Sequence, residues 1–260
     1  NWARPWSALD GPTDQLVNGA VGAFVTASAS AKKALAARGF PPAKISCIQN
    51  GVPKPSARDS AQVRKELGLA ADHIVWVVTA WFEPRKGHAV LIEALKRLCE
   101  RGMLPARLRV LLVGEGPELA RIQKAAREGG LGPVVAFLGY RRDSADILNC
   151  ADGLILPSIH SEDMPLIILD AMALCKPVIA SSLPGIAEEV EDGRTGILVA
   201  PGDPDALAQA LTLLSANESR RLELGRSGRS RFEDQFDIAR AHPQYSQLYE
   251  QLLQKETIHG

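Results

Sequence analysis

From residue 74 onward the chain alternates short apolar runs with amphipathic stretches of helical period. Residues 74–80 form an unbroken apolar run, the pattern of a strand covered on both faces. A helix is predicted over 88–101, a strand over 108–113, a helix over 118–128 and a strand over 134–138. The alternation continues with a helix at 144–150, a strand at 153–156, a helix at 166–174 and a strand at 178–180. A short helix at 186–190, a strand at 197–199 and a helix at 205–215 complete it. Repeated strand–helix units with short loops predict an α/β fold, a Rossmann-like, doubly wound parallel sheet. Two closing helices are expected at 218–234 and 238–253, the second interrupted by Pro243.

Upstream, a strand at 23–26, a helix of small residues capped by Ser28 or Ser30, and a strand at 44–48 form a βαβ-like piece. It is too small to bury a sheet alone. Residues 53–61 are polar with two prolines and read as a linker, with a short helix at 61–67 beyond them. Residues 1–20 carry no assignable pattern. In doubly wound sheets, ligands lie beyond the carboxyl ends of the strands. Chemistry is therefore to be sought in the loops after Ala80, Val113, Leu138, Leu156 and Ala180.

Composition narrows this little: 46% of the 260 residues are hydrophobic and 23% charged. Thirty basic residues balance thirty acidic ones, so nucleic acid is not expected as a partner. Cys47, Cys99, Cys150 and Cys175 form no C-x-x-C pair and read as buried, reduced thiols, which implies a cytoplasmic compartment, with peripheral attachment at a membrane left open. The longest apolar stretch, 74–82, is far short of the ~20 residues that span a bilayer. No signal peptide is legible, and a start at Asn1 rather than Met suits a processed or truncated product.

Three loops carry candidate chemistry. Gly114-Glu115-Gly116 opens like a dinucleotide fingerprint, but Leu119 stands at the third glycine position, so a tight βα turn is the better reading. Asp203-Pro204-Asp205 spells D-x-D but begins a helix, where capping is expected rather than a metal. The richest loop follows Leu156. There Pro157-Ser158-Ile159-His160-Ser161-Glu162 leads into a helix opened by Pro165, whose free N–H groups suit a diphosphate. On spacing alone, Glu162 is equally a helix cap and Asp170 a solvated side chain.

The run Ser161-Glu162-Asp163-Met164-Pro165-Leu166-Ile167-Ile168-Leu169-Asp170-Ala171-Met172-Ala173 resembles the E-x7-E element of retaining GT-B glycosyltransferases of the family 4 type (glycosyl transferases group 1). Lys176-Pro177-Val178, Leu183-Pro184-Gly185-Ile186-Ala187-Glu188 and Asp192-Gly193-Arg194-Thr195-Gly196 are similar to that family's next motifs. Lys86-Gly87-His88 resembles its donor-phosphate loop, and Asn50-Gly51-Val52 its interdomain junction. The resemblance implies the C-terminal, donor-binding half of GT-B at 62–235. Residues 1–52 would be a remnant of the acceptor half, 53–61 the linker, and 236–260 a helix returning to the N-terminal half.

By the same resemblance, a nucleoside-diphosphate sugar of UDP or GDP type gives up its sugar, with retention, to a sugar, lipid-linked or other small acceptor. No cofactor or metal is implied. Glu162 and Lys86 would be catalytic. Lys86 would hold the diphosphate, Glu162 the sugar with the backbone of Asp163, Met164, Pro165 and Leu166 beside it, and Asp170 the ribose. Gly114, Trp81, Tyr140 and Arg141 would border the donor. The family places an arginine where Trp81 stands, and Trp81 is expected to reach the crevice of Lys86 while Arg85 points elsewhere. Asp170 is one methylene shorter than the family's glutamate. A homodimer or a separate N-terminal domain would complete the cleft. A binding-only pseudoenzyme and a sugar-nucleotide epimerase are the alternative readings.

Overall fold

The structure is a computed structural model that describes residues 10–259. Two parallel sheets organise it. The smaller has two strands, β1 (Phe24–Thr26) and β2 (Ile45–Cys47), joined by helix α2 (Ala29–Ala37). Ser28 caps α2, its hydroxyl accepting from the N–H of Ala31. Leu35, Phe40 and Ile45 form a small core there, separate from the rest. Helix α1 (Asp10–Ala20) precedes it, in a stretch the hydropathy pattern leaves blank. Its apolar Leu16 and Val17 are exposed, so no buried stripe marked it. Residues 1–9 of that unassigned stretch lie outside the described residues.

After helix α3 (Ser60–Glu66) the main sheet is built from β3 (Ile74–Thr79), β4 (Leu108–Val113), β5 (Val135–Gly139), β6 (Gly153–Leu156), β7 (Val178–Ser181) and β8 (Gly196–Val199). Their spatial order is β5-β4-β3-β6-β7-β8, all parallel. Helices α4 (His88–Glu100), α5 (Leu119–Glu128), α6 (Ser144–Cys150), α7 (Leu166–Ala173), α8 (Pro184–Glu189) and α9 (Pro204–Ala216) make the crossovers and follow β8. Strand β3 shows why a continuous apolar run was needed. Trp76 and Val78 join the core on one face, Val75 and Val77 the core on the other, and all four are fully buried. The Trp76 indole donates to the Ser215 hydroxyl at 3.2 Å, so its one polar atom is satisfied.

The chain reverses its winding between β3 and β6. Loops from these neighbouring strands diverge there and leave a crevice at the carboxyl edge of the sheet. Helix α10 (Glu218–Arg231) runs into a π-turn at Phe232–Phe236, which buries both phenylalanines. Helix α11 (Ile238–His259) follows and is continuous, where the sequence suggested a break. Pro243 is the sixth residue of this helix, so it removes the bond its N–H would make to Ala239 O without ending the helix. Val52 bridges to this exit: its N–H donates to Phe236 O at 3.0 Å and its carbonyl accepts from Ile238 N at 3.1 Å.

The linker is pinned rather than loose. Arg58 donates its backbone N–H and its Nε to the Asp146 carboxylate at 2.8 and 2.7 Å. The thiols also depart from expectation. Cys150 is buried, but Cys99 and Cys175 are exposed at helix ends, where sequence windows overstate burial. Among the described residues no helix is long and apolar enough to cross a membrane.

Candidate active site

Two loops meet at the crevice. The first leaves β3 and closes with a single tight turn, Pro84–Lys86, before α4. Gly87 ends that turn at φ 71°, and a Cβ there would lie 1.8 Å from Pro157 O. Glycine is thus required twice over, by conformation and by the approach of the second loop. The second loop runs from β6 to α7. Ile159 N donates to Arg85 O at 2.7 Å and stitches the two together.

At this seam Lys86 Nζ donates to Glu162 Oε1. Ser158 Oγ donates to the same oxygen at 2.7 Å. The Glu162 side chain is only 7% exposed, so its charge is held by this lysine and hydroxyl rather than by water. Ser161, just before it, has φ 62°, an uncommon conformation for a non-glycine residue. Helix α7 begins at Leu166 behind Pro165, without a side-chain cap, so its first N–H groups remain available to an anion. Met164 is buried and Leu166 half exposed.

The small sheet closes the other side. Ser28 Oγ donates to Asp163 Oδ1, and Asn50 Nδ2 donates to Met164 O at 3.1 Å. Glu188 accepts from the N–H groups of Ala29 and Ser30 at 2.7 and 2.8 Å. Burial opposes its charge, yet these bonds outweigh that and hold its carboxyl below the usual range. Between the two sides lies a cleft of about 440 Å³, lined by Ser30, Ala31, Arg85, Glu162, Asp163 and Pro184 among others.

Two expectations from sequence change here. Arg85 does not point away: its Nη1 lies 3.1 Å from Ser161 O and 3.6 Å from Glu162 Oε1. Trp81 does not share the crevice of Glu162. It is 55% exposed and lines a separate cleft with Gly114, Tyr140, Arg141 and Arg142. The reason is local: the turn at Pro84 redirects the loop, so residues on either side of it face different clefts. Arg141 has its fork closed on Asp143 at 2.8 and 2.7 Å, and Tyr140 is exposed. The Gly114-Glu115-Gly116 turn works as loop packing. A Cβ at Gly114 would meet Ala80 O at 2.1 Å, and one at Gly116 would meet Phe82 O at 2.5 Å. Asp203 caps α9, accepting from Asp205 and Ala206 N–H. Asp170 lies in α7, and burial raises its pKa. Sequence reasoning missed Ser158 and Arg85. Their signal was position alone, each within a few residues of a strand end at the switch point.

Behind Lys86, His88 is 2% exposed and stacks on Phe82 with ring centroids 4.0 Å apart. Neither ring nitrogen has a partner. Burial, then the charge of Lys86, pushes its pKa down to about 4 from 6.5. Above pH 6.5 both folded and unfolded chains hold it neutral. Below that only the unfolded chain takes the proton, so stability falls as pH drops from 6.5 towards 4, by about 3 kcal/mol. Glu189 opposes this. It is fully buried with both oxygens unpartnered, and burial, then Glu162 and Asp163, raises its pKa well above the carboxylate range. It favours the fold as pH falls. Denaturant titration at pH 7 and pH 5 is therefore expected to show a shallower acid loss in His88→Leu and a steeper one in Glu189→Leu. Unchanged slopes in both would mean that neither group stays uncharged in the fold.

Residues 72–217, more than half of the chain, match the sequence profile of the family described as Glycosyl transferases group 1. The chain belongs to that family. It is 31% identical over 207 residues to the D-inositol 3-phosphate glycosyltransferase of Corynebacterium kroppenstedtii, covering 77% of this chain and 45% of that protein. It is 29% identical over 200 residues to the N-acetyl-alpha-D-glucosaminyl L-malate synthase of Bacillus anthracis, covering 76% and 51%. The chain thus spans about half the length of the curated relatives it matches. Among solved structures, HepE of Anabaena in complex with UDP-glucose superposes with a TM-score of 0.86 at 24% identity, covering 95% of this chain and 68% of that one. Sucrose-phosphate synthase of Thermosynechococcus elongatus does so with 0.79 at 27% identity, covering 97% and 64%.

Proposed function

We propose that this chain is the donor-binding half of a retaining glycosyltransferase that acts in the cytoplasm, with residues 1–52 a remnant of the acceptor half. The observation that carries the reading is the Lys86–Glu162 pair at the switch point, beside the uncapped start of α7. In sugar transfer the difficult event is departure of the diphosphate, on which negative charge grows. Lys86 and the first N–H groups of α7 would stabilise that charge, fixed in place before the reaction begins. Glu162, oriented by Lys86 and Ser158, would accept hydrogen bonds from the sugar hydroxyls. Asp170 would hold the ribose: its carboxyl is half-buried and makes no hydrogen bond to the protein among the described residues. Trp81, Gly114, Tyr140 and Arg141 would border the base. HepE, crystallised with UDP and with UDP-glucose, supports a UDP-type donor.

Calorimetry with UDP, GDP and their sugars tests this. Binding of one nucleoside diphosphate, tighter than its nucleoside, is expected; indifference to all of them would end the reading. The 260-residue chain by itself is expected to transfer sugar more slowly than about 1 per second, because donor and acceptor must be held together and the relatives use a chain about twice as long. Faster turnover by a monomer would show that the acceptor site is already complete. A second reading, binding without turnover, draws support from Trp81, which puts an uncharged indole where the family carries a cation. Donor hydrolysis and transfer assays on the chain paired with an acceptor half separate the two.

A further inference from the structure

The 440 Å³ cleft contains one lining cation among the described residues, and the family reading assigned it no role. Building on the donor-binding reading, we infer that Arg85 is a phosphate-binding residue of this cleft, a second cation beside Lys86 for the donor's diphosphate.

The geometry is that of a side chain held ready. The tight turn Pro84–Lys86 fixes its backbone, and Ile159 N binds its carbonyl, so the residue cannot drift from the second loop. Glu83 takes the Nε edge at 2.7 Å, and Ser161 O takes Nη1 at 3.1 Å. Nη2 has no protein acceptor among the described residues. Glu162 does not use Arg85 as a hydrogen-bond donor: the separation is 3.6 Å, and Lys86 and Ser158 already serve that oxygen. The outer edge of the guanidinium is thus oriented by the protein and left open to the cleft.

Charge balance points the same way. Lys86 is shared with Glu162, so by itself it cannot neutralise the two or more charges of a diphosphate. Asp163 adds a further negative charge to the lining. An anion entering there needs another donor. The alternatives are placed elsewhere: Arg141 is closed on Asp143, and Trp81 and Arg142 line the other cleft. A planar guanidinium with a free edge matches a pair of phosphate oxygens better than an ammonium does.

The test compares nucleoside diphosphate with nucleoside. For whichever of UDP and GDP the unaltered chain binds, Arg85→Gln is expected to weaken the diphosphate by about ten- to a hundredfold. Uridine or guanosine should bind as before, and Arg85→Lys should fall between. Arg107→Gln removes one positive charge from the entry to β4, at the far end of the sheet, and should change neither ligand. Equal weakening of diphosphate and nucleoside by Arg85→Gln, or no weakening in a variant that melts normally, would overturn the inference. If the unaltered chain prefers neither diphosphate to its nucleoside, the donor-binding reading itself falls and takes the inference with it.

Discussion

Gly185→Ala is expected to cost the fold about 3 kcal/mol and to abolish nucleotide binding. A Cβ at this position would stand 1.5 Å from Asp163 O, 2.3 Å from its carbonyl carbon and 2.6 Å from its Cα. All three are backbone atoms, so no side-chain rotation can relieve the clash. Either α8 withdraws from the sheet, where Ile186 is buried, or the loop carrying Glu162 moves. The loop has little freedom, since Ser28 holds Asp163 and Asn50 holds Met164. Gly132→Ala, with open space around its Cβ, is the control and should be close to neutral. Denaturant melts with parallel calorimetry decide it. Native stability with native binding in the Gly185 variant would show that α8 and the donor loop are not coupled.

Lys86→Ala should show the largest functional loss. Its ammonium is the direct partner of the Glu162 carboxylate, and removing it leaves a 7%-exposed charge with the Ser158 hydroxyl and, 3.6 Å away, the Arg85 guanidinium. Diphosphate affinity is expected to fall by about ten- to a hundredfold while the bare nucleoside binds unchanged. In a chain completed by an acceptor half, turnover should fall by a further factor on the order of 10²–10³, because the cation is asked to stabilise charge that grows during departure. Glu162→Gln should act differently, weakening the nucleotide sugar and sparing the diphosphate. If Lys86→Ala weakens nucleoside and diphosphate alike, the lysine serves the loop's structure and not the ligand.

The alternation of apolar runs and helical stretches was enough to read the main sheet. Each of its six strands and each following helix lies within two or three residues of the predicted span, because strands buried on both faces leave an unmistakable run such as 74–80. Loop residues fared less evenly. Glu162 and Lys86 were legible by motif, and the structure brings them into contact. Trp81 lines one cleft with Gly114, Tyr140 and Arg141, as the resemblance groups them, but not the cleft of Glu162, and Arg85 turns towards Glu162 rather than away, since sequence spacing does not reveal the turn at Pro84. In helix α1 the apolar Leu16 and Val17 are exposed and mark no buried stripe, and α11 runs on through Pro243, which the sequence alone reads as a break. Nothing in the sequence marked His88 or Glu189 as unpartnered, because that property belongs to what surrounds them.

The bridge between Val52 and Asp237 places the chain's two passages between the small and large sheets side by side. Away from that line the sheets' apolar cores are separate apart from Ala27, which packs on the larger one, and the named hydrogen bonds across the cleft join Ser28 with Asp163, Asn50 with Met164, and Glu188 with the start of α2. Polar contacts exchange for water at small net cost, whereas a merged core would not. The molecule is therefore built like a pair of tongs, pinned at Val52 and Asp237 and fastened at the tips by hydrogen bonds. Breaking three such fastenings would let the small sheet swing aside with little apolar surface beyond Ala27 uncovered, and the donor would enter and leave without any unfolding.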